Sequence, residues 1–250
     1  MNRNDNRRRF FLNASLFVAT FLLAVASLRA VGQDQNAEQQ FSQLRNAMVD
    51  EQIVARGVQD PLVLKAMRKV PRHRLVPEAV RPLSYEDHPL PIGEEQTISQ
   101  PYIVALMTEL LRLKGGEKVL EVGTGSGYQA AVLAEIAAKV FTIEIVQPLA
   151  DRAKRDLAEM GYKNVTVLCG DGYRGIPEQA PFDAIIVTAA APKIPEPLIE
   201  QLKVGARLVI PVGEAYQELV VLTKTDKGVE REDIIPVRFV PMTGEVQKNR

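Results

Sequence analysis

Short apolar runs alternate with segments of helical periodicity through the second half of the chain. Lys118 to Val122, Val140 to Ile145, Val165 to Cys169, Asp183 to Thr188 and Arg207 to Val212 are nearly continuous in Val, Ile and Leu and are bounded by Gly, Asp and Pro. Such runs suit strands buried on both faces. Between them, Tyr128 to Ala138, Pro148 to Met160 and Ile194 to Leu202 repeat apolar residues at helical spacing. The alternation predicts an α/β fold with a doubly wound, mostly parallel, Rossmann-like sheet. Leu219 to Thr225 and Val237 to Val240 follow without a helix between them, and Asp226-Lys227-Gly228 reads as a turn. An antiparallel strand pair is therefore expected at one edge.

Upstream, Leu44, Met48, Ile53 and Val54, then Leu62, Val63, Ala66, Met67 and Val70, predict two short N-terminal helices. Pro71 to Pro101 holds six of the sixteen prolines. It should be mostly irregular, with Pro89, Pro91 and Gly93 breaking any regular element. Helical spacing returns at Ile103, Leu106, Met107, Leu110 and Leu111 and stops at Gly115-Gly116.

Charge separates the first 30 residues from the rest. The chain has 250 residues with 31 basic and 31 acidic side chains, a formal net charge of zero. Arg3, Arg7, Arg8, Arg9 and Arg29 against Asp5 give the first 30 residues +4, leaving 26 basic and 30 acidic side chains, or −4, on the other 220. Phe10 to Leu28 is 19 residues without a charge, behind the arginines, and its most apolar part ends in Ala24-Val25-Ala26. This reads as a signal peptide, and Arg8-Arg9-Phe10-Phe11-Leu12 resembles the twin-arginine export signature. An uncleaved membrane anchor and a start at Met48 are the other readings. The expected organisation is a leader over 1–30, a polar linker over 31–40 and one domain over 41–250.

Composition narrows the chemistry. A neutral chain has no global field to hold nucleic acid. One cysteine, Cys169, and two histidines, His73 and His88, exclude a disulfide framework within the chain and a thiolate zinc cluster. Cys169 is expected to pack as a small hydrophobe inside its strand. Glu121-Val122-Gly123-Thr124-Gly125-Ser126-Gly127 closes the first strand and opens the first helix, where a doubly wound sheet has its ligand crevice. Gly127 comes one residue too early for a dinucleotide fingerprint, and no lysine completes a phosphate loop. Glu121 disfavours a pyrophosphate and suits a ligand carrying positive charge. Glu144, 17 residues past Gly127, is placed to accept from both ribose hydroxyls, and Asp171-Gly172 to meet an adenine edge. Each has a plainer reading alone: a strand-to-helix turn, a solvated strand end, a turn. Together they describe a nucleoside site without phosphate binders, which fits S-adenosylmethionine.

These residues resemble a known family. Glu121 to Gly127 and Asp171-Gly172 look like the cofactor motifs of class I methyltransferases. Pro91-Ile92-Gly93 with Gln96-Thr97-Ile98-Ser99-Gln100-Pro101 is similar to the signature of protein-L-isoaspartate O-methyltransferases. The resemblance runs through Val70-Pro71-Arg72-His73, Asp183 to Pro192 and Phe239-Val240-Pro241-Met242-Thr243. It implies a methyltransferase fold and a monomeric enzyme, with Glu121, Gly123, Gly125, Gly127, Glu144, Asp171 and Gly172 at the cofactor. It further implies Ser99 at the reaction centre and Thr97, Ile98 and Thr243 against substrate. The implied reaction methylates the free α-carboxylate of isoaspartyl residues in damaged proteins, and the ester then closes to a succinimide on the way back to aspartate. From sequence alone Ser99, two residues before Pro101, reads first as a helix cap. Another methyltransferase specificity and an exported non-catalytic module are the rival functions. The chain departs from the family at Glu95, where glycine is commoner, and in its leader, since the family is typically cytosolic.

Overall fold

The computed structural model describes residues 35–249. The export leader lies outside the described residues. The backbone is helical over 35–47 (α1), and the compact unit that carries the site runs from Arg45 to Arg250. Met48–Ile53 continues as a π-helical turn that buries Met48, Val49 and Ile53. α2 (Pro61–Lys69) starts where the sequence signals it: the Asp60 side chain accepts from the Leu62 and Val63 amides and Pro61 occupies the first helical position.

The proline-rich stretch is largely 3-10 turns, at Arg72–Leu75 and Glu78–Leu83, but it also holds an unexpected hairpin. β1 (Leu90–Gly93) pairs antiparallel with β2 (Gln96–Ile98), with Pro91 opposite Thr97. A two-stranded ribbon has an open edge on each strand, so a proline is tolerated where a central strand would exclude it. The turn between them has positive φ at Gly93 (88°), Glu94 (54°) and Glu95 (56°). α3 (Pro101–Leu110) follows directly.

Five parallel strands then form as the apolar runs predict: β3 (Lys118–Val122), β4 (Lys139–Glu144), β5 (Val165–Cys169), β6 (Phe182–Val187) and β7 (Leu202–Gly213). Helices α4 (Tyr128–Ala134), α5 (Gln147–Glu159) and α6 (Glu196–Glu200) lie in three of the connections. β8 (Gln217–Thr225) and β9 (Gly228–Val237) complete a seven-stranded sheet of order β5-β4-β3-β6-β7-β8-β9, the last two pairings antiparallel. The antiparallel pair is present, but the partner of β8 is Gly228–Val237, and only Val237 of the expected Val237 to Val240 belongs to it. β9 is an edge strand whose exposed first residues include Glu230, Arg231, Glu232 and Asp233. Its first half shows no apolar run to a sequence reading, and its one apolar stretch is Ile234 to Val237.

The core is the filling between sheet and helices, including Leu120, Phe141, Phe182, Ile185, Leu208 and Val220. Phe141 and Phe182 meet edge to face at 6.0 Å. β5 lies at the opposite edge, so its end is open, and Cys169 is exposed instead of packed. β3 lies between β4 and β6, and the crevice beyond its C-terminal end is where the strand order reverses direction.

Candidate active site

Glu121 stands in β3, the middle one of the five parallel strands, with apolar neighbours and its carboxyl group fully buried. Neither oxygen has a hydrogen-bond partner. Burial pushes its pKa up to about 8, opposed by the nearby Thr142 hydroxyl and helped, to a lesser extent, by the charge of Glu144. Thr142 faces it across the β3–β4 register, but that hydroxyl pairs with the hydroxyl of Thr124 at 2.5 Å. Glu144 is also buried, and its bonds are of another kind. Its oxygens accept from the Gly125 amide at 2.8 Å and the Val146 amide at 3.0 Å, which fixes the carboxylate beside the glycine loop.

Within that loop, Gly123 has φ 98° and a side chain there would run into the Thr188 hydroxyl, which donates to the carbonyls of Val122 and Gly123. Gly172 is pressed against Val122 and Ile143 closely enough that a Cβ would collide with Val122. Both glycines keep backbone low along the crevice floor. Gly127 has a different job. It is the residue before α4 and packs towards Leu157 of α5, outside the crevice lining.

The crevice is lined by Thr97, Ile98, Ser99, Glu121, Gly123, Gly125, Glu144, Gly172 and Thr243, together with Thr124, Ser126, Gln129, Thr188 and Met242. Sequence reading missed this second group. Thr124 and Ser126 alternate with the loop glycines, which was the available signal, whereas Thr188 and Met242 are brought in only by folding. Asp171 is not in the lining. One oxygen accepts from the Tyr173 amide at 2.9 Å and the other from the Glu245 amide at 2.6 Å, so it caps a short turn and ties down the C-terminal segment. That segment reaches the crevice because Met242 N donates to Ala190 O (2.7 Å) and Ala190 N to Val240 O (2.9 Å).

Ser99 does not cap α3. The cap position is Gln100, and no side chain of that residue bonds the helix start. The Ser99 hydroxyl has no partner among the described residues. Asp87 performs the capping from 13 residues away: it accepts from Gln100 Nε2 (2.7 Å), from the Tyr102 amide (3.3 Å) and from Arg56 (2.6 Å), whose guanidinium lies 3.4 Å from the Tyr102 ring centre. Nothing local in the sequence marks Asp87 for this task. Arg152 of α5 donates to Ile92 O at 2.6 Å and docks the hairpin that leads into Ser99.

The lining contains two buried carboxylates and no Lys, Arg or His. A pyrophosphate cannot be held there, whereas a nucleoside bearing an ammonium or sulfonium supplies the charge that Glu121 lacks. The residues present thus fit S-adenosylmethionine, and fold and site together define a class I S-adenosylmethionine-dependent methyltransferase.

Within that class the assignment is specific. The chain belongs to the protein-L-isoaspartate(D-aspartate) O-methyltransferase family, whose sequence model matches residues 42–247. It is 60% identical over 200 residues to the protein-L-isoaspartate O-methyltransferase of Gloeobacter violaceus, covering 79% of this chain and 98% of that one. It is 52% identical over 236 residues to that of Opitutus terrae, covering 94% and 99%. A solved protein-L-isoaspartate O-methyltransferase superposes with a TM-score of 0.72 at 32% identity, covering 82% of this chain and 67% of that one. A structure described as the Plasmodium falciparum enzyme with S-adenosyl-L-homocysteine does so with 0.68 at 26% identity, covering 80% and 98%. Among the described residues no helix is long and apolar enough to cross a membrane.

Proposed function

We infer that this chain transfers a methyl group from S-adenosylmethionine to the free α-carboxylate of L-isoaspartyl residues in damaged proteins, the first step of their repair to aspartate through a succinimide. The observation that carries the reading is the crevice with two buried carboxylates, no basic side chain, and Ser99 with a free hydroxyl at its rim. S-adenosylmethionine supplies an electrophilic methyl on a sulfonium leaving group. A substrate α-carboxylate, with an ordinary pKa of about 3.5, is already ionised at neutral pH, so the chain needs no general base.

The work left to the protein is alignment and exclusion of water. Ser99 donates its hydroxyl to orient the substrate carboxylate, and Thr97, Ile98 and Thr243 wall the approach. Glu121 and Glu144 hold the amino-acid and ribose ends of the cofactor, with Gly123, Gly125 and Gly172 leaving room for it. Gly127 and Asp171 act indirectly, by packing α4 on α5 and by anchoring the segment that carries Thr243. Labelled S-adenosylmethionine offered with an isoaspartyl peptide and its aspartyl twin tests the reaction. Labelling of the isoaspartyl peptide alone is expected; equal labelling of both, or none, overturns it.

The domain over 41–250 acts as a monomer in this reading, supported by the charged, exposed edge strand β9, which discourages edge pairing; light scattering would check it. Residues 1–30 act as an export leader. N-terminal sequencing of protein from separated cell fractions would decide between cleavage, anchoring and an internal start.

A further inference from the structure

A second groove, of about 810 Å³, opens beside the cofactor crevice. The two share Thr97, Ser99, Thr188 and Val240, so a polypeptide presenting its carboxylate at Ser99 continues into this groove. Its walls are mostly apolar. Its charged lining residues are two, Arg56 and Arg238, and both are cationic. Arg56 is committed to Asp87 and stacked on Tyr102. Arg238, exposed at the end of β9, has no hydrogen-bond or ion-pair partner among the described residues. A substrate passing through meets a cation with no protein counter-charge.

Building on the reaction proposed above, we propose that Arg238 is a specificity determinant that reads the residue neighbouring the isoaspartyl group and favours an acidic side chain there. Charge complementarity selects this occupant. An apolar neighbour gains only contact with the walls, a basic neighbour faces Arg238 directly, and an aspartate or glutamate supplies the missing partner. A hydrogen-bonded pair at an exposed site is modest and salt-sensitive, so the effect is a preference among substrates, not a requirement.

The test uses isoaspartyl peptides with Glu, Gln or Lys immediately before or after the isoaspartyl residue, compared by kcat/KM at low salt. At one of the two positions the Glu peptide is expected to exceed the Lys peptide by about three- to tenfold. Arg238→Gln should bring that ratio close to one, Arg238→Glu should invert it, and high salt should flatten it in the wild type. Equilibrium binding of the same peptides in the presence of S-adenosyl-L-homocysteine should show the same ranking without turnover. A flat charge profile at both positions with the Gln peptide still labelled, or a preference that survives Arg238→Gln, overturns the role of Arg238 alone. Failure to label any isoaspartyl peptide overturns the reaction and this inference together.

Discussion

Glu121→Gln separates what the buried carboxylate does to the empty protein from what it does for the cofactor. In the folded chain the group holds its proton up to about pH 8, while in the unfolded chain it ionises near its ordinary value of 4.5. Below 4.5 both states are protonated and its contribution to stability is full. As pH rises above 4.5 the unfolded state gains by ionising, so stability falls by about 1.4 kcal/mol per pH unit until the folded group also ionises near 8. That amounts to about 3 kcal/mol at pH 7 and about 5 kcal/mol above pH 8, the upper figure before any relaxation or water entry reduces it. A glutamine of the same shape does not titrate. Urea denaturation of ligand-free protein from pH 5 to 8.5 should therefore show the variant overtaking the wild type as pH rises, by a few kcal/mol at the alkaline end. Cofactor affinity should move the other way. If a cationic ligand end requires the ionised carboxylate, binding of S-adenosyl-L-homocysteine to the wild type tightens by about tenfold per pH unit towards pH 8, whereas the variant binds weakly and with little dependence on pH. Parallel stability curves for the two proteins, or the same pH slope of binding in both, would refute the assignment of Glu121 as the uncompensated charge.

Ser99→Ala should lower kcat/KM for an isoaspartyl peptide by about ten- to a hundredfold, the worth of a hydrogen bond to a charged group, while the dissociation constant of S-adenosyl-L-homocysteine changes less than about twofold; wild-type turnover would remove the hydroxyl from the mechanism. Asp87→Asn removes the charge that caps α3 and holds Gln100 beside Ser99, so chemical denaturation should show a loss of about 1 kcal/mol and peptide turnover should fall more than cofactor affinity. Unchanged kinetics after that loss would make Asp87 purely structural. Glu95→Gly places the permissive residue where φ is 56° and should stabilise the fold by about 0.5 to 1 kcal/mol; destabilisation would show that the hairpin turn is not strained.

The parallel strands and the glycine loop were legible because burial on both faces leaves a continuous apolar run and because a strand-to-helix crevice demands small residues in a short window. β9 was not, since an edge strand needs no apolar run, and Val237 to Val240 attracted the assignment instead. The hairpin of β1 and β2 is hidden because Pro91 lies within β1 and because, beside Gly93, two glutamates take positive φ in its turn, where asparagine or a further glycine would announce it. Cys169 reads as buried because it lies in an apolar strand, and nothing in that run marks the strand as an edge of the sheet. Glu121 and Glu144 were recognisable as site residues, but their difference was not. One is bonded to two amides and the other to nothing, and that contrast depends on atoms folded together from different strands. Asp171 is a motif residue whose oxygens each accept one backbone amide, from Tyr173 and Glu245, contacts that the sequence does not show.

Ribosomes make the chain from one end, and the wall formed by Val240 to Thr243 is therefore the last of the crevice walls to be synthesised. It settles against Ala190 through two backbone hydrogen bonds, and every other wall of the crevice precedes it in the chain. A chain that ends before residue 240 lacks that wall, and its crevice is open on one side. Translation order itself thus delays the appearance of a complete methyl-transfer site until synthesis is nearly finished, and truncation there removes Met242 and Val246 from the core together with the wall.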